Sequence, residues 1–220
     1  MDNTWDILRL ELFPAMWDTL IMIFISMAAS LIFGLLIGLV LYLSSSRLFF
    51  PNRVLNAIMG VVVNIIRSIP FVILLVLLIP VTKVIAGTSI GPVAASVPLA
   101  FASIAFFARL VEGAFSEVDK GVLEAAIATG AGLGLILRKV LFVEAMPGLI
   151  RATTVTVISL IGYSAMAGLV GGGGIGDLAI QYGYYRYETG VMFATVILLI
   201  LIVQGAQFVG DWTARIFTRK

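Results

Sequence analysis

Few side chains in this 220-residue sequence have the reactivity that active sites require. Histidine and cysteine are absent, which removes the commonest general base and metal ligand together with thiol nucleophiles and disulfides. No aspartate or glutamate lies in the middle of a long apolar stretch, so no carboxylate pair or buried proton relay is expected there. These absences argue against an enzyme, a metal centre and a proton-coupled transporter. They leave room for a passive channel, which uses hydroxyls and backbone carbonyls.

One short motif combines a charged group with residues that permit close packing. Glu124, Ala125 and Ala126 are followed, after three residues, by Gly130. A glutamate can pair with a basic partner, alanine lets helices approach closely, and glycine permits a turn with positive φ. These properties suit a short helix that packs closely and ends in a glycine turn. An ordinary surface helix with a glycine cap is the alternative explanation.

Arg67 lies near the middle of a long apolar stretch, where insertion scales assign a charged side chain a cost of about 2.5 to 3.5 kcal/mol. Its partners would be carbonyls exposed near Pro70, water in a cavity, or a carboxylate of a transported substrate. Alternatively, the span is shorter and Arg67 extends toward the inner interface. Both interpretations stay open, and Arg67 is a candidate pathway residue.

A polar stripe is predicted on one helix face by Thr156, Ser159, Tyr163 and Met166, which follow one another at spacings of three, four and three residues. The stripe could line a pathway, with Met166 as a soft gate residue, or pack against another helix through hydroxyl bonds. The sequence does not decide between these two roles.

Two glycine patterns concern packing and turns. Gly34 and Gly38 form a GxxxG motif, which predicts helix contact. Residues 171–176 satisfy GxGxxG formally, but they follow an apolar helix and lack a βαβ context, so a dinucleotide site is not indicated. We expect a flexible turn on the outer side of the membrane, near a gate.

The composition is that of a membrane protein, with 61% hydrophobic residues, 12% charged residues and a mean hydropathy of +1.13. Five apolar stretches each exceed the ~20 residues that cross a bilayer as a helix. They are 19–46, 54–82, 84–108, 152–176 and 189–210. The sequence therefore predicts an all-α membrane protein with about five transmembrane helices. One domain is expected over 1–220, with its core at about 17–212.

The positive residues predict an orientation with the N-terminus outside and the C-terminus inside, because lysine and arginine concentrate in cytoplasmic segments. The cytoplasmic set would be Arg47, Arg53, Arg109, Lys120, Arg138, Lys139, Arg215, Arg219 and Lys220, against Arg9, Lys83 and Arg186 outside. The loop at about 110–150 would then be cytoplasmic and form short helices at the membrane surface. The net charge of +2 is too small to indicate nucleic acid.

The loop sequence LEAAIATGAGLGLILRKVLFVEAMPG resembles the cytoplasmic loop of ABC importer permeases, whose pattern is EAA, three residues, G, nine residues, I, one residue, LP. Val140 stands for the isoleucine, and Phe142 and Val143 replace the Leu-Pro, so the expected helix break moves to Pro147. VNIIRSIPFVILL, ARLVEGAFSEVDKGVLEAA and IGYSAMAGLVGGGGIGDLA extend the resemblance, to permeases of methionine importers, from about Trp17 onward.

This resemblance implies a bacterial plasma-membrane permease, not an enzyme, that imports methionine, D-methionine or related amino acids by alternating access. It implies a homodimer, two cytoplasmic ATPase subunits that bind ATP and Mg, and an extracytoplasmic substrate-binding lipoprotein. Glu124, Ala125, Ala126 and Gly130 would couple the permease to the ATPase. The alternatives are a permease for another small solute and a passive homo-oligomeric channel.

Overall fold

The computed structural model describes residues 4–218, and that part of the chain contains helices and no β-strand. The helices are α1 Thr4–Ser45, α2 Arg53–Ser68, α3 Phe71–Leu77, α4 Ile79–Ala86, α5 Pro92–Ser116, α6 Lys120–Ala128, α7 Leu133–Val170, α8 Ile175–Leu178 and α9 Thr189–Thr218. The all-α prediction is confirmed. Arg219 and Lys220, which the orientation count includes, lie outside the described residues.

Helix α1 begins fifteen residues before the predicted start at residue 19. Its 42 residues, at ~1.5 Å each, extend over about 63 Å, roughly twice the thickness of the hydrocarbon layer. The charge of Asp18 bounds the predicted apolar stretch, and Asp6, Arg9 and Glu11 lie further toward the N-terminus. A helix accommodates such charges once it has left the lipid, so the membrane span and the helix need not end together.

Helix α1 packs against α5 at the two glycines of its GxxxG motif. A Cβ atom added at Gly34 would lie 3.0 Å from the Phe107 ring, and one added at Gly38 would lie 2.6 Å from the carbonyl oxygen of Ala108. The contact also carries polar bonds, since the hydroxyl oxygens of Ser30 and Ser103 are 2.6 Å apart. The predicted helix contact at the GxxxG motif is confirmed.

A Gly38→Ala variant is expected to lose about 1 to 3 kcal/mol of stability, because the new methyl group has no room against α5. A lower midpoint of thermal unfolding in detergent would show the loss. Gly205→Ala in α9 is the matched control, since nothing lies within 4 Å of its added Cβ. Equal midpoints for the two variants would contradict the close contact of α1 with α5.

The second apolar stretch is not one straight span, as the sequence had suggested. Helices α2 and α3 meet at an angle of 103°. Pro70 disfavours helical geometry at the preceding residue, and Ile69 accordingly has an extended ψ of 125°. Residues 4–218 thus contain four helices that are long and apolar enough to cross a membrane, or five if the bent pair counts as one span.

The third predicted stretch begins with a turn. Gly87 and Gly91 adopt positive φ angles of 72° and 96° and separate α4 from α5. The long helix α5 therefore begins at Pro92 and continues eight residues beyond the predicted end at residue 108. This extension carries the chain toward the connection between the third and fourth spans.

The connection after α5 contains one separate short helix, α6. Its first turn is capped by the Asp119 side chain, which accepts hydrogen bonds from the backbone of Gly121 and Val122 at 2.7 and 3.3 Å. The segment LILRKVL continues directly into α7 rather than forming a separate surface helix. Pro147 lies inside α7, so the expected helix break there is wrong.

The segments that connect the helices lie at the two ends of the helix bundle. At one end, the backbone N–H of Gly91 donates to the carbonyl of Gly171 at 2.8 Å, and Gly190 lies against Thr4. At the other end, Arg47 and Lys120 border one cavity. Arg47 and Lys120, which are both predicted to be cytoplasmic, therefore share an end, while the direction of insertion stays a prediction.

Candidate functional site

Helix α6 has one face that is buried against the protein and one that is exposed. Leu123 is fully buried and Ala126 packs against the same hydrophobic core, whereas Glu124 and Ala125 are exposed. The carboxylate of Glu124 makes no hydrogen bond or ion pair with any residue in the range 4–218. Two residues of the EAA motif are therefore free to contact another molecule, and the third anchors the helix.

A turn with positive φ ends α6, as the sequence predicted. Gly130 has a φ of 77°, and its N–H donates to the carbonyl of Ile127 at 2.9 Å. Nothing lies within 4 Å of a Cβ added there, so the requirement for glycine comes from the backbone conformation alone. This turn sets the direction in which the chain enters α7.

Leu123, the fully buried residue of α6, lies in a hydrophobic cluster that includes residues of both neighbouring spans. Leu123 belongs to one buried cluster with Phe115 at the end of α5 and with Ile136 and Leu141 at the start of α7. The buried face of α6 therefore belongs to the same core as the neighbouring spans. Close-packed side chains transmit displacements rather than absorbing them.

A polar cavity of about 520 Å³ lies beside α6. The charged side chains at its wall are Arg47, Lys120 and Glu124, and Ser46 and Ser116 add hydroxyl groups. The charge distribution predicts that Arg47 and Lys120 lie on one side of the membrane, but it gives no sign that they border the same cavity as Glu124.

Arg67 and Tyr163 meet at a second, smaller cavity of about 190 Å³. The guanidinium carbon of Arg67 lies 5.9 Å from the centre of the Phe106 ring, and the rings of Phe71 and Tyr163 stack at 4.8 Å with an angle of 16°. Sequence reasoning missed the two phenylalanines. The position of Phe71 directly after Pro70 was the available signal for one of them.

The four residues of the polar stripe do not share one environment. Thr156 is fully buried and its hydroxyl donates to the carbonyl of Ala152 at 2.8 Å, while the Ser159 hydroxyl donates to Val155 at 2.9 Å. Both bonds stay within α7, so neither hydroxyl joins α7 to another described helix. Met166 is exposed, and of the four residues only Tyr163 borders the Arg67 cavity.

The glycine-rich segment at 171–176 is packed rather than exposed as a flexible turn. Thr19 of α1 accepts a hydrogen bond at 2.9 Å from the N–H of Ile175, which is buried. A Cβ added at Gly174 would lie 2.8 Å from the Thr19 hydroxyl, and Gly172 has as little space beside Ala95. The glycines therefore let this segment fit between α1 and α5.

Arg109 ties α5 to α2. Its Nη1 lies 2.6 Å from a carboxylate oxygen of Glu112, and its Nη2 donates to the carbonyl of Gly60 at 3.0 Å. The Arg109–Glu112 contact is the one ion pair within residues 4–218. Those residues hold no group of three acidic side chains that could bind a metal. Arg109 thus has a structural role that the orientation argument had not considered.

Comparison with known proteins gives a match over most of the chain. Residues 34–220 match the family model of the binding-protein-dependent transport system inner membrane component. The probable D-methionine transport system permease protein MetI of Vibrio cholerae is 47% identical over 204 residues, which cover 93% of this chain and 91% of that protein. The methionine import system permease protein MetP of Bacillus subtilis is 45% identical over 180 residues, covering 82% and 81%.

A solved structure is similar to nearly the whole fold. It is an inward-facing conformation of the MetNI methionine ABC transporter, with a TM-score of 0.91 and 46% identity over 94% of this chain and 96% of the matched chain. Both the family model and the curated relatives include the segment that carries α6. The chain therefore belongs to the family of binding-protein-dependent transport system inner membrane components.

Proposed function

We propose that this chain is the permease subunit of an ATP-driven importer that carries methionine, D-methionine and related amino acids by alternating access. The observation that carries the proposal is the extent of the similarity to methionine permeases, 47% identity over 93% of the chain. The exposed face of α6 at Glu124 and Ala125 adds the contact that an ATP-driven permease needs and a passive channel does not.

The chain is a multi-pass protein of the bacterial inner membrane, and it is a transport subunit rather than an enzyme. The proposed assembly has two copies of this chain, two ATPase subunits on the cytoplasmic side, and a substrate-binding protein on the outer side. ATP and Mg bind to the ATPase subunits. The proposed orientation is N-terminus out and C-terminus in. Residues 1–220 form one permease domain with its core at about 17–212 and its coupling segment at about 110–150.

The proposed mechanism has two states that nucleotide and the loaded binding protein stabilise to different extents. ATP closes the ATPase pair, which moves α6 through Glu124, Ala125 and the Gly130 turn. Because Leu123 packs with the ends of α5 and α7, those helices move with it. The pathway between the two copies then opens on the other side of the membrane.

The proposed pathway residues differ in their position in the structure. Arg67 and Tyr163 border a cavity and are the first choices. Ser159 is half-buried and Met166 is exposed on α7, so both could face the second copy. Thr156 is fully buried in one chain. It can act only by setting the shape of α7.

Import into proteoliposomes tests this function. The permease, its ATPase and its binding protein are expected to accumulate labelled L-methionine and D-methionine inside the vesicles only when ATP is present on the ATPase side. Omitting ATP is the matched control. Equal uptake without ATP would support a passive channel, and ATP-driven uptake of a different solute with no methionine transport would support the other importer alternative.

A further inference from the structure

Arg67 contacts the middle part of helix α5. Its guanidinium group is beside Phe106, which comes fourteen residues after the start of α5 at Pro92 and ten before its end at Ser116. At ~1.5 Å per residue, these positions place Phe106 about 21 Å from one end of the helix and about 15 Å from the other. Arg67 therefore lies beside the middle part of α5, and its side chain is exposed in one chain.

The hydrogen-bond donors of Arg67 have no acceptor within residues 4–218. A guanidinium carries five N–H donors and keeps its charge, yet the contact that the structure gives it is the ring of Phe106. Arg109 on α5 provides the contrast, because it donates to Glu112 and to the carbonyl of Gly60. Arg109 therefore has a structural role, whereas the donors of Arg67 are available to a ligand.

The cavity beside Arg67 combines the guanidinium group with aromatic and aliphatic side chains. Phe71 and Tyr163 form a stacked pair, Phe106 lies beneath the guanidinium, and the remaining lining residues are Ile66, Ile69, Leu74 and Ala102. Its volume of about 190 Å³ corresponds to roughly six water molecules at ~30 Å³ each. A positive donor group at the edge of a small aromatic cavity is complementary to a carboxylate that carries a short apolar substituent.

We propose that Arg67, Phe71, Phe106 and Tyr163 form a transient subsite for an α-amino acid with an apolar side chain, a proposal that rests on the proposed function. The guanidinium donates two parallel, charge-assisted hydrogen bonds to the carboxylate oxygens. The aromatic rings contact the side chain, and a thioether makes favourable contacts with such rings. Because Arg67 is largely exposed in one chain, its other side faces the space in which a second copy can complete the site.

Import by reconstituted complexes carrying Arg67→Gln tests the role of the charge. The variant is expected to import L-methionine at least about tenfold more slowly per assembled complex at limiting substrate, since a charge-assisted hydrogen bond accounts for about that factor. Arg67→Lys is expected to recover part of the rate. Arg53→Gln, at the exposed start of the same helix, is the matched control and should import normally.

Photo-crosslinking in the native complex tests the site without altering it. L-photo-methionine, which carries a diazirine in its side chain, is expected to attach to peptides containing Phe71, Phe106 or Tyr163. L-methionine should suppress the attachment, and methioninol, which lacks the carboxylate, should not. Attachment elsewhere, or equal suppression by methioninol, would overturn the subsite.

The outcomes separate the subsite from the proposed function. Normal methionine import by Arg67→Gln, in a complex whose unsubstituted form imports methionine, would overturn the subsite alone. Failure of the unsubstituted complex to import methionine, while it imports another solute, would overturn the proposed function. If Arg67→Gln does not assemble with the ATPase, Arg67→Lys and the crosslinking experiment decide.

Discussion

A Gly130→Pro variant is expected to insert into the membrane normally but to lose at least about tenfold of the ATP hydrolysis that the loaded binding protein stimulates. Gly130 has a φ of 77°, whereas proline is restricted to about −65°, so the turn after α6 cannot keep its direction. Proline also removes the N–H that donates to Ile127 at 2.9 Å. Helix α6 should then present its exposed face at the wrong angle.

Gly132→Pro, two residues further along the chain, is the matched control for Gly130→Pro. Gly132 already has a φ of −67°, nothing lies within 4 Å of its added Cβ, and no described carbonyl accepts a bond from its N–H. Gly132→Pro should therefore retain most of the stimulation. Gly130→Ala should fall between the two, because a left-handed conformation costs an alanine about 1 to 2 kcal/mol. Full stimulation of Gly130→Pro would contradict a role for this turn.

A Glu124→Arg variant is expected to bind the ATPase at least about tenfold more weakly, because removing one member of a buried charge pair costs about 2 to 5 kcal/mol and reversal adds repulsion. The side chain is exposed and has no polar partner within the described range, so the permease itself should remain folded. Co-purification of the ATPase with the permease in detergent would measure the effect.

Glu117→Arg is the matched control for the charge reversal. Glu117 is also exposed, lies at the end of α5, and gives the same change in net charge without altering α6. ATPase binding by this variant should be close to that of the native chain. Equal loss of binding in both variants would indicate a general effect of charge, and no loss in Glu124→Arg would contradict the proposed contact.

The helical spans could be predicted from the sequence because lipid requires each backbone to satisfy its own hydrogen bonds. The same reasoning could not place the bend at Pro70. Pro14, Pro98 and Pro147 all lie inside continuous helices, so a proline alone does not distinguish a break from a tolerated residue. Packing of the neighbouring helices decides, and that packing is a long-range property.

The two candidate sites differ in the same way. The motif at α6 is local: Glu124, Ala125 and the Gly130 turn follow from spacing and from the backbone preference of glycine. The cavity at Arg67 joins residues from four separate helices, α2, α3, α5 and α7. No spacing rule connects Arg67 with Phe106 or Tyr163, so the sequence could identify the charge but not its surroundings.

Cysteine labelling of α6 tests the central claim most directly, because the chain has no native cysteine to add background. An Ala125→Cys variant is expected to react with a membrane-impermeant maleimide in inverted vesicles, to be protected there by bound ATPase, and not to react in right-side-out vesicles. Thr88→Cys, exposed in the turn before α5, should show the opposite pattern. Reaction of Ala125→Cys only in right-side-out vesicles would contradict an ATPase contact at α6.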